Sequence, residues 1–142
     1  MTDEQIHLVQ TSFRRVKPLS EEAAVLFYAR LFELDPTLRP MFKGDIRLQG
    51  LKLMQTLELV VESLYHMDGL APDIRALGAR HRAYGVEDRH YETVGTALLW
   101  TLEKALEPRF TAETGEAWAA AYDMLAQMMK DATDRSVEGA YI

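Results

Sequence analysis

Helix punctuation sets the strongest limit on how this chain can fold. Start and stop signals recur at about one helix length, apolar residues repeat every three to four positions between them, and no segment alternates apolar and polar residues as a half-buried strand would. Thr2 and Gln5 have capping-box spacing and open a first helix through about Val16, which Pro18 ends. Ser20, followed by Glu21 and Glu22, reads as the cap of a second helix to about Leu34. Asp35-Pro36 breaks that helix, and Pro36 opens a short third one ending near Phe42. Asp45 caps a long helix from about Ile46 to His66. Met67 to Ala71 reads as a turn, and Pro72 as the start of a helix that Tyr84-Gly85-Val86 breaks. Asp88 caps the next, from about Arg89 to Leu106; Pro108 interrupts, and Thr111 caps a last helix to about Ala132.

Seven or so helices joined by short connections predict an all-α fold. Residues 1–132 are expected to form one domain and 133–142 a frayed tail, with no second catalytic or output domain after the bundle. At 142 residues and 48 % hydrophobic content, the chain can bury one sizeable core. Its formal charge of −6 opposes a nucleic-acid partner, which would call for a basic face. The absence of cysteine removes disulfides, thiolate nucleophiles, iron–sulfur clusters and thiolate metal ligation together. No apolar run approaches the roughly 18–20 residues that span a bilayer, and the acidic N-terminus lacks the pattern of a secretory signal. A cytoplasmic protein with no membrane partner is expected, as a monomer or weak homo-oligomer.

Of four histidines, only His81 falls on an apolar stripe, with Ile74, Leu77 and Gly78 at helical spacing. His7, His66 and His90 read as polar positions on or near helix ends. An imidazole aimed into a core needs a partner, because an unpaired buried polar group costs about 1–3 kcal/mol. Either a core hydrogen bond or a metallated cofactor would serve. At about 1.5 Å per residue, the climb from Pro72 to His81 matches a climb down the preceding helix to about Leu57. If the two helices form a loose hairpin, His81 faces the Leu53–Leu57 region, with Gln49 within two turns. Tyr28 lies on the inward stripe of the second helix with Ala24 and Leu31, and Phe42 ends the third.

The result is a flat apolar slot with an imidazole on one wall and an amide and a phenol on the other. Such a slot suits a heme, whose iron takes a proximal histidine and leaves an opposite position for a diatomic ligand. Bound O2 carries partial negative charge, which donors such as Gln49 and Tyr28 would stabilise. Lys52 would project to the rim, where its ammonium meets a heme propionate. Each residue also has a plainer reading: His81, Tyr28 and Phe42 as core, Gln49 as solvated, Lys52 as a surface charge, and the seven methionines as packing.

From about Gln5 to Met129 the chain resembles the globins. The segment Leu26-Phe-Tyr-Ala-Arg-Leu-Phe-Glu-Leu-Asp-Pro-Thr-Leu-Arg-Pro-Met-Phe42 places Pro36 six residues before Phe42, the globin spacing. Gln49-Gly-Leu-Lys-Leu-Met-Gln-Thr-Leu57, Leu77-Gly-Ala-Arg-His-Arg-Ala-Tyr-Gly-Val86, Tyr91-Glu-Thr-Val-Gly-Thr-Ala-Leu-Leu99, Phe110-Thr and Ala117-Trp118 are similar to bacterial single-domain globins of the neuroglobin-like, Hell's-gate type. The resemblance implies a globin fold of seven to eight helices around heme b (iron protoporphyrin IX). It implies His81 as iron ligand, Leu77 and Val86 as proximal packing, Phe42 and Leu53 as heme contacts, and Tyr28 and Gln49 as distal hydrogen-bonding groups. Tyr91 falls where bacterial globins keep a tyrosine near the proximal pocket.

Two departures qualify it. Gln49 stands where animal globins carry the distal histidine, which excludes a bis-histidine resting state through that position. The late glutamate with which flavohemoglobins charge the proximal histidine has only Asp131 and Thr133 as its nearest counterparts here. The implied functions are reversible binding of O2, CO or NO for storage, delivery or scavenging, and NO dioxygenation with an external reductase. The plain alternative is a helical bundle without cofactor. A gas sensor would need an output domain.

Overall fold

The computed structural model describes residues 1–140, with side chains through Asp131. Six α-helices, α1 (Asp3–Val16), α2 (Ser20–Leu34), α3 (Ile46–Glu62), α4 (Met67–Ala83), α5 (Asp88–Leu106) and α6 (Ala112–Ala140), are joined with three 3₁₀ segments at Lys17–Leu19, Pro36–Met41 and Leu64–His66. Among the described residues there is no strand. The short helix expected from Pro36 is therefore a 3₁₀ segment, and so is the last turn of the helix expected to reach His66. The frayed tail expected over residues 133–142 falls on positions whose side chains lie outside the described residues.

Local chemistry explains most boundaries. At the start of α1 the capping box forms as its sequence requires: the Gln5 N–H donates to Thr2 Oγ1 and the Thr2 N–H to Gln5 Oε1. Asp45 accepts the Arg47 N–H at 2.9 Å, and Thr111 accepts the Thr114 N–H at 3.1 Å. Three starts differ from expectation. Ser20 is the first helical residue rather than a cap, and its hydroxyl donates back to the Lys17 carbonyl at 2.6 Å. Glu87 rather than Asp88 precedes α5, because its N–H is taken by His90 Nδ1 at 2.9 Å. Pro72 lies inside α4, which begins at Met67. Pro72 is past the first turn of this helix, so it removes the intrahelical bond that an N–H there would make to the Asp68 carbonyl.

Helix α1 packs on α6, α2 on α3 and α5, and α4 on α6. Phe13, Val9, Val16 and Leu31 are buried at the centre. Removing each such side chain from water stabilises the fold by about 1.5–3 kcal/mol before entropy is counted. The indole N–H of Trp118 donates to Ser12 Oγ at 2.8 Å, and that hydroxyl donates to the Leu8 carbonyl, so the polar atoms between α1 and α6 are satisfied. Helices α3 and α4, consecutive in the chain, share no extensive packing. Each leans on its own neighbours, and the two carry separate groups of candidate residues.

Candidate functional site

On the α4 wall, His81 is half-buried and its Nδ1–H donates to the Leu77 carbonyl at 2.8 Å. A hydrogen on Nδ1 leaves the lone pair of the neutral ring on Nε2. Burial lowers the His81 pKa below its ordinary 6.5, opposed by the Leu77 carbonyl and aided by Arg80. The neutral imidazole is thus the resting form. The helix ends just beyond it in a Schellman turn: the Gly85 N–H donates to the Arg82 carbonyl at 2.9 Å and the Val86 N–H to the His81 carbonyl at 3.0 Å. Gly85 has φ +95°, a conformation glycine adopts without penalty. Both ends of His81, ring and carbonyl, are therefore tied down. Leu77 and Val86 are half-buried against the core beside it.

The α2–α3 wall holds the other polar groups. Tyr28 is 5 % exposed, within a cluster formed by Phe27, Phe32 and Phe42 at ring-centroid separations of 5.0, 6.0 and 5.4 Å. Burial pushes its phenol up to about 12, and a hydrogen bond from Gln49 offsets part of that rise. Tyr28 is accordingly a neutral O–H donor at any physiological pH. Gln49 itself is exposed, and its amide acts on the phenol only by holding its pKa down. Leu53 and Phe42 are half-buried, and Lys52 is exposed. The α2–α3 crossing is close at Gly50, where a Cβ would lie 2.8 Å from Ala24 Cβ.

Tyr91 is buried near the start of α5. Its carbonyl accepts the Tyr122 hydroxyl at 2.6 Å, and Lys130 Nζ stands 5.5 Å from its ring centroid. Asp131 is exposed and accepts the Gln127 amide at 2.9 Å, and the Thr133 side chain lies outside the described residues. The group on His81 Nδ1 is thus a neutral carbonyl and not a carboxylate, so the imidazole keeps ordinary donor strength.

One histidine departs from expectation. His90 is 2 % exposed, not a solvated helix-end residue. Its ring folds back to cap α5, and the spacing Glu87-x-x-His90 is a capping-box pattern with imidazole in place of the usual glutamate. That spacing was the available signal. Arg89 ties the same corner to Asp35 at 3.8 Å. The pKa of Asp35 is lowered chiefly by the hydrogen bond from Thr37, and also by Arg89 and His90.

Among the described residues no three histidine, aspartate or glutamate side chains converge on a metal position. His81 offers one nitrogen, so an iron bound there would need its other ligands from a macrocycle. The donor set, a neutral imidazole with its lone pair on Nε2 and a neutral buried phenol paired with an amide, suits a heme.

Comparisons with known proteins agree. The family model described as globin matches residues 25–129. The anaerobic nitrite reductase NSHB5 of Oryza sativa subsp. indica is 32 % identical over 92 % of this chain and 94 % of its own length. A flavohemoprotein of Vibrio cholerae is 28 % identical over 92 % of this chain, which spans only 34 % of that protein. Among solved structures, an engineered carbene transferase from Rhodothermus marinus, provisionally named a nitric oxide dioxygenase, superposes with a TM-score of 0.89 at 25 % identity, covering 100 % of this chain and 99 % of its own.

Proposed function

The chain belongs to the globin family, and on that premise we propose that it holds heme b through His81 and reversibly binds O2, and likewise CO and NO. The observation that supports this reading is the His81 imidazole on α4, its Nδ1–H held by the Leu77 carbonyl so that Nε2 keeps its lone pair, with a buried Tyr28 packed on Phe42 from α2. Heme supplies an iron that coordinates a diatomic molecule and exchanges one electron. His81 would present Nε2 to that iron, with the Leu77 carbonyl fixing the ring through Nδ1. Phe42, Leu53, Leu77 and Val86 exclude water along the macrocycle. Tyr91 supports the proximal side, and Lys52 meets a propionate at the rim. Tyr28 and Gln49 would donate hydrogen bonds to a ligand held there. Because Tyr28 stays protonated up to about 12, that donation does not titrate under physiological conditions. We place residues 1–132 in this single domain and the chain in the neuroglobin-like, Hell's-gate group, as a cytoplasmic protein of oxygen storage, delivery or scavenging.

A second reading is NO dioxygenation, in which O2 and NO would yield nitrate and an external reductase would supply one electron per turnover. It is favoured by the resemblance to the Rhodothermus marinus protein and the Vibrio cholerae flavohemoprotein. The deciding experiment mixes the oxy form with NO in the presence of a flavin reductase and counts nitrate per heme. At most one nitrate per heme supports reversible binding; many turnovers support the dioxygenase. Absence of a CO-sensitive Soret band in the heme-reconstituted protein would overturn both.

A further inference from the structure

Among the described glycines, Gly78 makes the closest approach to another part of the chain. A Cβ there would lie 2.4 Å from the Met129 carbonyl oxygen, 2.9 Å from its Cα and 3.0 Å from its carbonyl carbon. All three atoms are main chain, so no side-chain rotamer can open room. The contact sits in the α4–α6 interface, the most extensive helix pairing in the fold. Gly78 precedes His81 by less than one turn. Its neighbour Leu77 supplies the carbonyl that holds His81 Nδ1. The depth to which α4 sinks on α6 therefore fixes the Leu77 carbonyl and the His81 backbone together.

We propose that Gly78, seated on the Met129 carbonyl, is the stop that sets the reach of the His81 imidazole toward its metal, and so is a positioning residue for that bond. The proposal rests on the heme reading above and adds the element of the fold that sets the ligand's position. An alanine at this place restores normal van der Waals spacing only if α4 lifts from α6 by roughly 1 Å, and His81 moves with it. Loss of a support behind a metal-ligating histidine typically weakens metal affinity about 10–100-fold.

Gly69 provides the control: it lies in the same helix, and a Cβ there meets nothing within 4 Å. The test compares heme-loaded wild type, Gly78→Ala, Gly69→Ala, and His81→Gly with added imidazole, the last with and without Gly78→Ala. The readouts are the iron–imidazole stretching band in the resonance Raman spectrum of the ferrous, ligand-free form, and the rate of heme transfer to apomyoglobin. Gly78→Ala is expected to displace the band and speed heme transfer about tenfold, while Gly69→Ala matches wild type. With free imidazole in His81→Gly, adding Gly78→Ala is expected to leave the band in place, because the ligand is no longer tethered to α4. The double variant Gly69→Ala/Gly78→Ala, which also removes a helix-weakening glycine, carries the same comparison if Gly78→Ala alone is too unstable. An unmoved band in Gly78→Ala, or an equal displacement with untethered imidazole, overturns the proposal. A His81→Gly protein that keeps the wild-type band without imidazole overturns it too, by removing His81 as the ligand.

Discussion

Tyr28 and His81 both rely on burial to stay neutral, with opposite consequences for pH. For Tyr28 the raised phenol is a donor throughout the accessible range. Replacing it by phenylalanine keeps the aromatic cluster and removes only the O–H. Stopped-flow measurement of the oxy form of Tyr28→Phe should show O2 leaving about tenfold faster or more, equivalent to about 1.4 kcal/mol. An unchanged rate would mean the phenol does not face the ligand. For His81 the folded pKa lies below the unfolded value, so the unfolded chain takes up more protons on acidification. Its contribution to stability is therefore complete above about pH 6.5 and is lost as pH falls toward the lowered folded value. Denaturant titrations of the apoprotein should show stability falling between pH 7 and 5, with a shallower fall in His81→Gln. His81 and Tyr28 were legible in the sequence because each interrupts an apolar stripe with one polar group. His90 was not, because its burial comes from a ring turned back onto its own helix start, and that needs a side-chain conformation that no periodicity encodes.

Helix starts were legible where a side chain caps in the usual way, as at Thr2, Asp45 and Thr111, and misread where backbone continuity prevailed. Pro72 resembles a start signal, yet α4 runs through it from Met67 because the neighbouring helix contacts outweigh one missing bond. The two crossings that shape the site were invisible in the sequence, since a glycine permits close approach without naming its partner. At Gly50 that partner is Ala24 Cβ, 2.8 Å from where a Cβ would stand, with the Tyr28 ring 3.7 Å away. Gly50→Ala should push α3 off α2, draw Gln49 from Tyr28, and raise the O2 dissociation rate several-fold, on the order of 1 kcal/mol. Adding Ala24→Gly removes the opposing methyl and should bring the rate back toward wild type. Failure of that rescue in the same flow measurement would mean that the crossing does not set the distal pair.

The whole molecule should be markedly less stable without its cofactor. The fold class followed directly from punctuation, while the separation of α3 from α4 required the assembled helices. A ligand present at 1,000 times its dissociation constant stabilises the folded state by about 4 kcal/mol. At about 2–4 °C per kcal/mol for a chain of this size, calorimetry should find the heme-loaded protein melting roughly 10 °C or more above the apoprotein. Equal melting temperatures would show that nothing of that affinity bridges the walls.

Those walls rest on different neighbours, α3 on α2 and α1, and α4 on α6. Substitutions on one should therefore add to those on the other in the apoprotein, and couple once a shared group spans them. The chemistry of ligand capture and the chemistry of metal attachment can then drift separately through sequence space. A lineage can retune one without re-solving the packing of the other.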